Sequence, residues 1–150
     1  MNSSGERKYV EHVFAGESLL AIILRTEFKS GGIDFFTPPD FSQQLGYMNR
    51  VKGYVIAPHI HNPVERSVHV TKEVLFIKTG KVRVDFYDED ESYLESRILG
   101  RGDLILLAFG GHGFEMLENT EMIEVKQGPY AGDLDKTHFR PVAATKIRYG

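Results

Sequence analysis

The chain has 150 residues, a length that fits one domain with one compact core. Its formal net charge is -3, from 18 Lys+Arg against 21 Asp+Glu, which gives no global electrostatic reason to bind nucleic acid or an anionic membrane surface. It has no cysteine, so disulfides, thiolate metal ligands and a cysteine nucleophile are excluded.

Residues 1–9 are polar and charged and lack the apolar core of a secretory signal. No apolar run approaches the ~20 residues that a membrane-spanning helix needs, so a cytoplasmic location is expected, with a small-molecule substrate and neither nucleic acid nor membrane as partner. Thereafter the apolar segments are short, rich in Val, Ile, Leu, Phe and Tyr, and separated by Gly, Pro or acidic turns. Strands are predicted at Ser18–Arg25, Gly32–Thr37, Gly46–Met48, Tyr54–His61, Glu73–Lys78, Val82–Tyr87, Ser92–Leu99, Asp103–Leu107, Gly113–Leu117 and Met122–Gln127. Helical periodicity is absent, and the expected fold is all-β in a single domain. Leu19–Leu24 is more hydrophobic than an exposed edge strand should be, which predicts a homodimer that covers it. The acidic stretch Asp88–Glu91 reads as a solvated hairpin tip.

Within this pattern His59 and His61 stand one residue apart, so a strand would turn both imidazoles to one face. Glu73 and His112, from later strands, would complete a set of three imidazoles and a carboxylate, suited to one divalent transition-metal ion such as Fe, Mn, Ni or Zn. Ligands from three distant segments need strands that converge on one interior, which favours a small barrel. Alternation then turns Gly53, Val55 and Ala57 inward beside the histidines, Leu75 and Ile77 inward beside Glu73, and Phe114 and Met116 inward beside His112. Val55, Ala57, Leu75, Ile77, Phe114 and Met116 would line an apolar substrate pocket around a polar centre.

These residues resemble the motifs of the cupin superfamily. Gly53, five residues, His59-Ile60-His61, then Glu73 with six residues before Gly80 is similar to the first cupin motif. Gly102-Asp103-Leu104-Ile105-Leu106-Leu107-Ala108-Phe109-Gly110-Gly111-His112-Gly113-Phe114 is similar to the second. The resemblance covers about residues 53–117 and implies a double-stranded β-helix, a jelly-roll-like barrel. Eleven residues separate His61 from Glu73, a longer spacer than the family's, and Glu65 falls at the family's distance. Glu73 is preferred because Glu65 would place Lys72 where the closing glycine belongs, and Asn62-Pro63 reads as a strand end. Ala108 stands where the family has proline, and the turn before His112 is one residue shorter.

The resemblance implies a metal-dependent dioxygenase, isomerase or lyase acting on a small polar substrate such as a sugar or keto acid. A non-catalytic metal- or carbohydrate-binding module is the alternative, and a metal-free nucleotide-sugar isomerase is a third reading, in which Tyr130 would share proton transfer with a histidine. His69, with Glu65, Arg66 and Lys72, lies in the 62–72 insertion, a candidate lid at a barrel mouth. His12 and His138 have no spacing partner, and Arg25, Lys52 and Arg83 read as surface charges.

Overall fold

The computed structural model describes residues 6–150, with side chains from Lys8 onward. Within that span the chain is all-β, in three antiparallel sheets, none of which closes on itself. It divides into two compact units: Lys29–His69, and the described part of Met1–Phe28 together with Val70–Gly150.

The larger unit is built on a five-stranded sheet in the order β1-β2-β8-β5-β10, with β1 at Val10–Ala15, β2 at Ser18–Leu24, β5 at Glu73–Thr79, β8 at Leu104–Leu107 and β10 at Glu121–Lys126. The sequences of β2 and β8, Ser-Leu-Leu-Ala-Ile-Ile-Leu and Leu-Ile-Leu-Leu, are apolar without alternation. Both strands have neighbours on either side, and Ala21, Ile22, Ile23, Ile105 and Leu106 are completely buried or nearly so. A second sheet, in the order β7-β6-β9, is formed by β6 at Lys81–Tyr87, β7 at Tyr93–Gly100 and β9 at Gly111–Met116. Val82, Val84 and Phe86 of β6 alternate onto the face that shares a core with Ala21, Ile23, Leu75, Ile77, Ile105 and Leu107. Each fully buried side chain of this kind contributes about 1.5–3 kcal/mol of transfer free energy, so this cluster dominates the unit's stability.

Polar groups fix the turns around that core. Asp88 accepts hydrogen bonds from the backbone N–H groups of Asp90 (2.9 Å) and Ser92 (2.8 Å), so the acidic hairpin tip is organised by its first residue. After β10, residues near the end of the chain return to the second sheet. The Val142 N–H donates to the Tyr87 hydroxyl (3.0 Å), the Arg148 N–H to the Tyr93 hydroxyl (2.8 Å), and the Ser96 N–H to the Arg148 carbonyl (2.7 Å). This last contact accompanies a parallel bridge between Ser96 and Tyr149, which covers part of the outer edge of β7.

The smaller unit holds a two-stranded hairpin of β3 (Gly32–Phe35) and β4 (Gly46–Asn49). Its connection is held by Gln44, whose amide accepts from the Thr37 hydroxyl (2.8 Å) and donates to the carbonyls of Pro38 and Phe41 (2.9 Å each). From residue 51 to residue 70 the chain enters no strand, and every residue is exposed.

Two expectations fail here. Tyr54–His61 is not a strand, and β1 is a strand that hydrophobic pattern did not reveal, because Val10-Glu11-His12-Val13-Phe14-Ala15 carries only one fully buried side chain, Val13. The premise for a covering dimer also changes: Leu19–Leu24 lies between β1 and β8 and is no edge. Among the described residues no helix is long and apolar enough to cross a membrane.

Candidate metal-ligand pair

Glu73 opens β5, paired with Leu107 of β8 on one side and Lys126 of β10 on the other. Alternation places it on the face of Leu75 and Ile77, so its carboxylate stands at one end of the core. His112 lies in β9 opposite Phe86, on the face shared by Val82 and Val84. The two sheets thereby bring His112 Nε2 to 3.1 Å from Glu73 Oε2, between side chains 27% and 13% exposed.

The hydrogen bond from His112 holds the Glu73 carboxyl below its ordinary pKa. Burial opposes that shift, and the electrostatic influence of His112, Lys126 and Lys136 reinforces it. The pair therefore presents an ionised carboxylate beside an imidazole nitrogen. Two donors each about 2.1 Å from one ion and at right angles to each other lie about 3 Å apart, so this spacing suits two neighbouring ligands of a metal.

Residues of the two motifs that hold no ligand shape the surrounding turns. Gly80 has φ +86°, and a Cβ there would collide with the Asn119 carbonyl and Thr120, so no other residue fits without rearrangement. Asp103 accepts from the Thr26 N–H (3.0 Å), the Gly100 N–H (2.9 Å) and the Arg25 guanidinium (3.0 Å). The Gly-Asp of the second motif is thus a turn clamp that ties β7 and β8 to the end of β2.

His59 and His61 lie in the strand-free segment of the other unit, with ring centroids 5.1 Å apart, edge to face. His59 Nδ1 is 3.0 Å from the Ala57 carbonyl. Val55 and Ala57 are exposed, Val55 by 79%. Leu75 and Ile77 are buried and belong to the core cluster, whereas Phe114 and Met116 are half-exposed on the face of His112, the Phe114 ring 5.4 Å from the imidazole. The structure brings Glu73 to His112 and His59 to His61; among the described residues no three His, Asp or Glu side chains gather in a metal-holding group. Tyr130 is 85% exposed in the segment after β10, and Glu65 is exposed in the strand-free segment.

No protein-family model, no curated protein and no solved structure matches the chain.

Two arginines are not free surface charges. Arg25 bridges Glu11 (2.6 Å) and Asp103 (3.0 Å), and Arg83 bridges Asp85 (2.7 Å) and Glu115 (2.6 Å), with side chains only 19% and 12% exposed. Lys72, expected in the candidate lid, is instead 6% exposed with its ammonium 4.5 Å from the centroid of the Phe109 ring. Its position next to Glu73, at the entry of a buried strand, was the available signal.

Proposed function

We propose that the chain is a metal-binding protein of the cupin type, most simply a metal-dependent enzyme acting on a small polar substrate such as a sugar or keto acid. In this reading Glu73 and His112 hold one divalent transition-metal ion, Fe, Mn, Ni or Zn, and His59 and His61 complete its coordination. The observation that carries it is the meeting of Glu73 and His112, two residues 39 apart in sequence and chosen from two separate motifs, at a ligand-like spacing. When bound, such an ion polarises a carbonyl or enediol oxygen, or activates water or dioxygen. The protein's own part is to keep Glu73 ionised and to fix the His112 ring against it. Phe114 and Met116, on the same face, offer an apolar wall for the carbon skeleton of a substrate.

Elemental analysis of protein purified without added metal tests this. About one equivalent of a transition metal per chain is expected, and less than about a tenth of an equivalent sinks the reading. The direct hydrogen bond between His112 and Glu73 favours a second reading, in which the pair works without metal as a general acid and base on an isomerisation. Turnover that survives exhaustive chelation would select it. A binding module without catalysis would hold metal yet turn over no sugar or keto acid with any of the four ions.

A further inference from the structure

Residues 51–70 are exposed throughout and belong to no strand, yet from Ile60 onward every Ile and Val falls on one face of an extended chain. Counting every second residue, Tyr54, Ile56, Ile60, Val64, Val68 and Val70 fall on one face with Lys52, Asn62 and Arg66, and His59, His61, Glu65, Ser67 and His69 fall on the other with Val51, Val55 and Ala57. Ile60 is 88% exposed. Residues 59–70 thus have the pattern of a half-buried strand without a neighbouring strand.

The larger unit carries an edge of matching character. β10 pairs with β5 on one side only. On its outer face Ile123 and Val125 are 51% and 60% exposed and stand beside Phe76 and Val74. On its inner face Glu124 and Lys126 stand beside Leu75 and Glu73. A strand added to the free edge of β10 with its histidines on the inner face would extend both faces in kind. It would lie two strand spacings, about 10 Å, from β5, a distance that a histidine and a glutamate side chain span together.

We infer that the 51–70 segment of one copy adds to the free edge of β10 in a second copy, so that His59 and His61 of one chain complete the Glu73–His112 pair of the other. The inference rests on the metal reading above for its ligands and on strand pattern and sheet edge for its geometry. In an extended conformation 20 residues reach about 65 Å, enough to pass between two molecules. Two-fold exchange leaves two identical centres and no unpaired β10 edge.

Light scattering and subunit mixing test it together. Wild-type protein is expected to be a dimer, and Ile56→Asp with Ile60→Asp is expected to give a monomer whose circular dichroism retains the β signal. One chain carrying His59→Ala and His61→Ala is then co-expressed with a differently tagged chain carrying Glu73→Gln and His112→Ala, and the mixed dimer is isolated through both tags. Each variant alone should hold less than about a tenth of an equivalent of metal per chain, and the mixed dimer about half an equivalent, because one of its two centres is then intact. A monomeric wild type overturns the exchange whatever its metal content. A metal-bearing wild-type dimer whose mixed dimer holds no metal also overturns it while leaving the metal reading in place. A wild-type dimer without metal, made monomeric by the two aspartates, sinks the metal reading and keeps the exchanged strand.

Discussion

Two halves of one motif meet opposite fates in this molecule. Residues 73–79 and residues 54–61 are both short segments rich in Val and Ile, and both read as strands. The first is β5, hydrogen-bonded to β8 and β10, with Leu75 and Ile77 in the core. The second is exposed along its whole length. The difference shows that apolar, β-branched composition marks where a strand could form, while the strand itself forms only where a neighbour accepts its backbone hydrogen bonds.

The sharpest way to break that contrast is to make the same truncation in the two regions. Ile77→Ala in the core is expected to cost about 2–5 kcal/mol in chemical denaturation, whereas Ile60→Ala, at a site 88% exposed, should stay within about 0.5 kcal/mol once the protein is diluted to monomers. Equal losses would mean that the exposed segment is packed. Next in size is Asp103→Ala, which strips three hydrogen bonds from the clamp on the β7–β8 turn and should cost about 2 kcal/mol, read as a lower urea midpoint with an unchanged slope. Gly80→Ala, at a positive φ and against the Asn119 backbone, should cost more than about 1 kcal/mol, while Gly53→Ala, also at positive φ but with open space around it, should cost less.

The smallest effect concerns pH. Because the folded chain holds Glu73 below its ordinary pKa, its contribution to stability is fully present above the unfolded value and is lost as pH falls through the depressed folded one. The stability gap between wild type and Glu73→Gln, measured from about pH 7 down to about pH 3, should therefore narrow as the solution is acidified. A constant gap would mean that the carboxylate gains nothing from His112.

Much of this was legible in the chain. Nine of the ten predicted strands coincide with observed ones to within two residues at either end, because each combines apolar pattern with a Gly, Pro or acidic boundary. The tenth, Tyr54–His61, carried the same pattern, and pattern does not say whether a neighbouring strand is available. β1 escaped because an edge strand with one buried residue lacks the hydrophobic signal. Of the candidate site, the Glu73–His112 contact followed from strand alternation and motif spacing. The ion pairs of Arg25 and Arg83 did not, since nothing local in sequence marks a charge whose partners lie on other strands.

The most direct measurement is the metal content of wild type, Glu73→Gln and His112→Ala, purified side by side and checked for fold by circular dichroism. About one equivalent is expected in the wild type and less than about a tenth of an equivalent in each variant. Variants that are folded and retain the full equivalent, or a wild type that holds none, would contradict the metal reading.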